Sequence, residues 1–332
     1  MRQRIAVIYN DTCASRYDSL GEQKAVLGVL DAVQAVDNAL QELGHKVTRV
    51  PLTLPLEETE KRLKSLKADL VFNLFEGFGG RPETEAEVAD ILTVTGIPHT
   101  GCPGLTLRLA LDKAKVKSIL QDNGVDTPAF QLLSPETVAA FRLKFPCIVK
   151  PFGEDASHGI SQESVVSNMA ALKKQVARIS RSYGGKALVE EFIDGREFNI
   201  TILGNPKLSV LPVSEIEYTL PNGVPRILTY AAKWEPESME FKGTRAVCPA
   251  RITNREGKRL EEVALKAFRL LGCRGYARID LRVDNSGHVK VLEVNPNPDI
   301  SPGSGAIRQA EAAGMTYTEY IENTTLLAPE RN

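Results

Sequence analysis

The sequence predicts an α/β protein of more than one domain, and three observations carry that expectation. Its 332 residues exceed what one hydrophobic core ordinarily holds. Its first third alternates short apolar runs with amphipathic segments of helical period, the pattern of a parallel sheet covered by helices. Near the C-terminus, RGYARIDLRV and HVKVLEVN flank the turn DNSG and read as adjacent strands joined by a hairpin-type turn.

Taken in order, RIAVIYN is a short apolar strand. From Lys24 to Leu43, Val26, Val29, Leu30, Val33, Val36, Leu40 and Leu43 recur at spacings of three and four, which predicts a helix that Gly44 stops. HKVTRVPL is a second strand, Glu57 to Lys67 a charged helix, and DLVFNLFEG a third strand running into a loop. This first unit is expected to span residues 1–101. A second, 102–187, opens with TLRLALDKAKVKSILQDNG, read as one helix closed by Gly124. TPAFQLL, the strand FPCIVKPF, the loop GEDASHGI and a helix around Met169 to Ser182 follow, with the strand KALVEEFI at its end. The third unit, 188–332, contains REFNITILGN, VLPVSEI, the AVCPA strand, a helix from Glu256 to Leu271, the hairpin and a last helix over Tyr317 to Leu327.

Composition narrows the function. The chain carries 41 basic and 42 acidic residues, with no basic run suited to nucleic acid and no acidic tail. No apolar run reaches membrane-spanning length, and the few apolar positions of MRQRIAVIYN are too short for a signal-peptide core. Cys13, Cys102, Cys147, Cys248 and Cys273 are dispersed without a CxxC, as for reduced thiols in a cytoplasm, and provide no close set of zinc ligands.

Three clusters carry chemistry. In KVLEVNPNPDISPG, Glu293 and Asn295 stand at i and i+2 on one face of a strand. If that strand pairs with ARID, Asp280 lies near them, and two carboxylates with an amide oxygen suit magnesium completed by phosphate oxygens and water. Arg278, two residues before Asp280, could hold an anion there; a salt-bridged strand end accounts for the same residues. In KALVEEFIDGREFNI, Glu190, Glu191 and Glu197 offer carboxylates to a ribose diol or a base edge, or form a solvated acidic loop. Lys113 and Lys150 sit in apolar surroundings. Lys150 ends a buried strand and needs an anionic partner, for which phosphate would serve; Lys113 reads equally well as a surface lysine.

Together these places resemble the ATP-grasp superfamily, and within it the D-alanine–D-alanine ligase family. VFNLFEG, IPHTG, LALDKAK, IVKPFGEDASHGI, LVEEFIDGREF, GYARIDLRV and LEVNPNPDIS occur in the family's order over essentially the whole chain. The resemblance implies a three-domain ATP-grasp fold, an N-terminal parallel-sheet domain plus two α+β domains clasping ATP. It implies a cytoplasmic ligase of peptidoglycan biosynthesis that activates one amino acid as an acyl-phosphate and couples it to another, and it suggests a homodimer. Carried over residue by residue, it puts Lys113 and Lys150 on the phosphates, Ser157 in the loop that covers them, and Glu190 at the adenine amino group. The backbone of Phe192 and Ile193 would read the ring and Glu197 would hold the ribose. Lys233 would sit near the terminal phosphate. Asp280, Glu293 and Asn295 would bind two Mg2+ ions, or Mn2+. Arg278, with backbone N–H groups near Gly303 and Ser304, would steady the acyl-phosphate and its tetrahedral successor, and Ser304 would contact the second substrate's carboxylate.

The chain departs from that family at the substrate pocket and its cover. The covering loop reads Asp155-Ala156-Ser157 where the ligases have Gly-Ser-Ser, and Trp234 stands for a tyrosine. A serine–tyrosine lock is therefore absent, and closure is expected to rely on packing by Trp234 or on His158 and Asp155. The N-terminal glutamate of that lock has only Glu22 as a loose counterpart. Asp299 replaces a glycine, either capping the following turn or pairing with a cationic substrate group. A larger or more basic amino acid than D-alanine is the expected substrate. The same chemistry on another amino-acid pair, and a nucleotide-binding protein without ligase activity, stand as alternatives.

Overall fold

The computed structural model describes residues 2–11, 15–22, 24 and 28–329. They form three sheets with helices packed between and around them. The first is parallel, in the order β2-β1-β3, from Arg4–Asn10 (β1), Lys46–Leu52 (β2) and Leu70–Leu74 (β3). Ile5 to Ile8 are buried on both faces of β1, which explains its unbroken apolar run, whereas edge strand β2 is half exposed and mixed in sequence. The second sheet is antiparallel, in the order β4-β7-β5-β6, from Phe130–Leu133 (β4), Cys147–Pro151 (β5), Val165–Val166 (β6) and Ala187–Glu191 (β7). The third follows the order β11-β10-β8-β12-β13, with β9 on the side of β8. Its strands are Gly195–Gly204 (β8), Leu208–Val210 (β9), Ser214–Tyr218 (β10), Thr244–Val247 (β11), Gly275–Asp284 (β12) and Val289–Pro296 (β13).

The helix predicted from Lys24 to Leu43 is observed over Val29–Glu42; its residues 23 and 25–27 lie outside the described residues. The single helix predicted over TLRLALDKAKVKSILQDNG is two, Gly104–Leu111 and Lys113–Asp122. Asp112 leaves helical geometry (ψ 76°) and its carboxylate accepts the Lys115 N–H, so it starts the second helix as an N-cap. The helix Glu83–Thr95 was not foreseen, because its buried positions include small residues, Ala86 and Ala89, that mark no strong stripe.

Packing crosses the order of the chain. Helices Gly305–Ala312 and Tyr317–Leu326 bury Ile307, Ala310, Tyr320 and Ile321 with Val7, Val33, Val36 and Phe72 of the first unit. Helix Lys113–Asp122 adds Val116 and Leu120 to the core between the third sheet and helix Asn254–Leu270. Between β9 and β10 one edge of β8 has no strand partner. The fully buried Gln309 fills that gap, its Oε1 accepting the Thr201 N–H at 2.7 Å and its Nε2 donating to Asn199 O at 3.1 Å. Gln309→Leu leaves two buried main-chain groups unsatisfied and should lower the unfolding free energy by about 2–4 kcal/mol, read as a drop in the thermal or urea midpoint.

Candidate functional site

The hairpin predicted from sequence sets the first part of the site. In the β12–β13 register Arg278 faces Asn295 and Asp280 faces Glu293. A bulge between Asp280 and Leu281 shifts the pairing just there and re-aims the side chains that follow. Arg278 grips Asp280 with two parallel bonds, Nε to Oδ1 at 2.7 Å and Nη2 to Oδ2 at 2.8 Å. Asn199 Nδ2 donates to Asp280 Oδ1 at 2.7 Å. Asn295 Nδ2 donates to Asp280 Oδ2 at 2.9 Å and reaches Glu293 Oε1 at 3.4 Å. The salt-bridged strand end and the oxygen-rich cluster are thus one arrangement. Burial raises the Glu293 carboxyl, but Lys113, Lys150, Lys233 and Arg278 together outweigh it and hold the group down at about 2.

Those cations come from separate elements. Lys150 sits on β5 and Lys233 on the short helix Tyr230–Trp234. Lys113 begins its helix and is 8% exposed, so the surface reading fails; its Nζ donates to Glu154 O at 2.8 Å and Asp155 Oδ1 at 2.9 Å. Burial, then the nearby Arg278 charge, pulls the Lys233 ammonium below its usual range.

The buried Glu190 on β7 receives two ammonium groups, Lys150 Nζ on Oε2 at 2.7 Å and Lys117 Nζ 2.5 Å from Oε1. The Lys117 approach makes an ion pair but no well-angled hydrogen bond, which leaves Oε1 with acceptor capacity. Burial pushes Glu190 up, and Lys117 and Lys150 bring it below the usual carboxylate range. Lys117 was missed in sequence. It is 2% exposed and anchored on Thr127 Oγ1 at 2.8 Å and Leu292 O at 3.2 Å. Its spacing of four from Lys113, on the same helix face, was the available signal.

Glu197 lies in the same cavity wall. Tyr218 Oη and two Arg282 nitrogens all donate to its Oε2, leaving Oε1 for another partner. The Phe192 N–H is committed to Pro146 O at 3.1 Å, so any contact of its backbone with a base would be through its carbonyl. Among the described residues the Ile193 N–H has no acceptor. One cavity joins Lys113, Lys150, Ser157, Glu190, Phe192, Ile193, Glu197, Lys233, Asp280 and Glu293.

A covering loop borders that cavity. Ala156 (φ 52°) and Ser157 (φ 63°) turn it through the left-handed region, and Ser157 Oγ donates to Leu228 O at 2.9 Å. Trp234 contributes more than the packing expected of it, since its Nε1–H donates to Ala156 O at 3.2 Å. His158 does take part, its Nδ1 2.8 Å from Glu22 Oε2 and its ring stacked on Tyr17 at 3.8 Å. Glu22 also accepts the Gly159 N–H at 3.0 Å and the Tyr183 hydroxyl at 2.9 Å, so the loose N-terminal counterpart lies against the loop. Arg16 and Tyr17 both bind Glu154 of the loop. Asp155 turns instead to Lys113.

A second, larger cavity opens on the other side of Lys233, Arg278 and Glu293. Ser304 and Asp299 line it. The Ser304 Oγ is buried without a hydrogen-bond partner among the described residues, while its N–H is taken by Ser301 O at 3.0 Å. Of the two backbone N–H groups expected to hold an oxyanion there, the Ser304 N–H is thus already engaged. Asp299 caps the following turn, its Oδ1 accepting the Ser301 N–H at 2.8 Å, and still contributes its charge to the cavity.

Three sheets meeting around lysines and a carboxylate–amide pair define an ATP-grasp ligase. The family described as "D-ala D-ala ligase C-terminus" matches residues 119–325. An uncharacterised protein of Sinorhizobium fredii is 35% identical over 91% of this chain and 88% of its own length. The D-alanine–D-alanine ligase of Pseudoalteromonas translucida is 31% identical over 96% of this chain and 94% of its own. Among solved structures, the VanG D-Ala:D-Ser ligase of Enterococcus faecalis matches at a TM-score of 0.74 and 22% identity, covering 98% of this chain and 99% of that one. The D-alanine–D-alanine ligase of Bacillus anthracis complexed with ATP matches at 0.74 and 21%, covering 98% and 97%. The chain belongs to the D-alanine–D-alanine ligase family.

Lys117→Met leaves Glu190 with one cation and loosens its aim. The expected result is an ATP KM raised roughly tenfold with kcat within about threefold, since the lost contact is remote from the reacting phosphate. An unchanged ATP KM in a phosphate-release assay would remove Lys117 from the site.

Proposed function

We propose that the chain joins two amino acids into a dipeptide-like amide, driven by ATP. The observation that carries this reading is the cationic field of Lys113, Lys150, Lys233 and Arg278 on the half-buried Glu293, opposite Asp280, in a cavity that Glu190 and Glu197 also line. A carboxylate is a poor acyl donor. Its oxygen attacks the γ-phosphorus of ATP, ADP leaves, and an acyl-phosphate results. The amine of the second amino acid then attacks the acyl carbon, loses a proton, and expels phosphate. Lys113 and Lys150 hold the phosphates beneath the Ser157 loop, and Lys233 faces the terminal one. Glu190 and the Ile193 backbone meet the adenine, with the Phe192 ring beside it, and Glu197 Oε1 holds the ribose. Arg278 and the Gly303 N–H stabilise the charge that builds on the tetrahedral oxygen. Ser304 Oγ takes the second substrate's carboxylate.

Asp280, Glu293 and Asn295 would hold Mg2+, or Mn2+, with the Asn295 amide turned to present its oxygen. Their hard-oxygen set fits such an ion. Among the described residues no third His, Cys, Asp or Glu completes it, so phosphate oxygens and water would have to supply the other ligands, as magnesium prefers. When bound, the metal neutralises charge on the phosphoryl oxygens; two ions are proposed, following the family. The reading places the enzyme in the cytoplasm and suggests a homodimer. Among the described residues no helix is long and apolar enough to cross a membrane.

Asp280→Asn and Glu293→Gln should each lower kcat on the order of a hundredfold or more while the thermal unfolding curve stays cooperative. Near-normal turnover of either variant at limiting magnesium would refute the metal assignment. Glu197→Gln keeps the packing against Arg282 but weakens the ribose contact. It should raise the KM for ATP more than it lowers kcat, and an equal KM would exclude Glu197 from the nucleotide site. Phosphate release across a panel of D- and L-amino acids tests the reaction itself. Release without any amino acid, or with none of them, would favour a nucleotide-binding protein that is not a ligase.

A further inference from the structure

The larger cavity carries carboxylates that the proposed reaction does not use. Glu76 and Glu85 line it with Asp299. Glu85 accepts one bond, from Asn297 Nδ2 at 3.1 Å. The Glu76 carboxylate has no hydrogen-bond or ionic partner among the described residues. Arg278 binds Asp280 with both arms, and Arg308 donates to the Gly303 carbonyl; the Asp299 charge acts on both, but neither pairs with Glu76 or Glu85. An independent observation points to a ligand in the same place. Tyr276 is 1% exposed, lines the cavity, and its phenol has no hydrogen-bond partner among the described residues. That phenol lies within electrostatic reach of both Glu85 and Glu76. The side chain is fixed by its burial while its oxygen is open to the cavity, where a ligand can meet it.

We infer that this cavity takes an amino acid with a cationic side chain, its ammonium or guanidinium group seated among Glu76, Glu85 and Asp299 with the Tyr276 oxygen as a further acceptor. The inference rests on the ligase reading for the amino-acid class and on these residues for the cation. An ammonium or guanidinium stays charged at neutral pH and brings several donors to acceptors that otherwise repel one another. Glu76 is exposed on the cavity wall, where the neighbouring protein and the Asp299 charge raise its carboxyl above the usual range, as expected of a carboxylate without a counter-ion.

The test is calorimetric binding of lysine and ornithine, of either hand, against norleucine and alanine. It uses the full chain with magnesium and a non-hydrolysable ATP analogue, and phosphate release with ATP is measured in parallel. The basic amino acids should bind at least about tenfold more tightly than norleucine, and Glu76→Gln should reduce that advantage to within about threefold. Tyr276→Phe should lower it less, because only one acceptor is lost. Equal or tighter binding of norleucine or alanine to the wild type would overturn the inference whatever the variants do. So would a lysine preference unchanged in both Glu76→Gln and Asp299→Gly. Turnover of D-alanine without any lysine preference defeats the inference and leaves the ligase reading standing. Lysine binding without phosphate release does the reverse, and neither binding nor release with any amino acid defeats both.

Discussion

Glu293 is the point on which the site depends. A carboxylate partly withdrawn from water loses hydration, and here the charges of Lys113, Lys150, Lys233 and Arg278 more than make up for it. Each reaches it from a different element: the start of a helix, the second sheet, a short helix beside the covering loop, and the neighbouring strand of the hairpin. The second and third sheets are therefore tied through one electrostatic centre.

The hairpin supplies the order within that centre. Register makes Asp280 face Glu293, and the strand period keeps Asn295 beside Glu293. Arg278 is fixed by its two bonds to Asp280, so it presents its charge in one orientation. Gln309 secures β8, which lies against β12 on the far side from β13, by replacing the missing strand with its own amide. Support for the site thus extends through the sheet to a C-terminal helix that also packs on the first unit.

The covering loop is held by an alternative set of bonds. An indole N–H donates to a backbone carbonyl, and Glu22 gathers His158, Gly159 and Tyr183. Arg16 and Tyr17 hold Glu154 of the same loop. The N-terminal unit therefore meets the loop at two carboxylates, one on each partner. The departures at Ala156 and Trp234 change which atoms make the contact and leave a contact in place.

Much of this was legible in the chain itself. Strand period placed Glu293 and Asn295 on one face, the DNSG turn paired them with Asp280, and helix-period stripes located most helices, because those signals depend on neighbours in sequence. The family motifs brought Lys113, Lys150, Lys233 and Arg278 into one expectation. What tertiary structure alone decided depends on residues far apart in sequence. Lys117 meets a carboxylate partner because β7 delivers Glu190 to it. Trp234 became a donor only when the loop's carbonyl arrived, and the Phe192 N–H was lost to Pro146. Asp299 both caps a turn and charges a cavity, a pair of roles that local sequence posed as alternatives. Sequence carries periodicity and residue type, whereas partner, burial and charge balance exist only after distant segments have met.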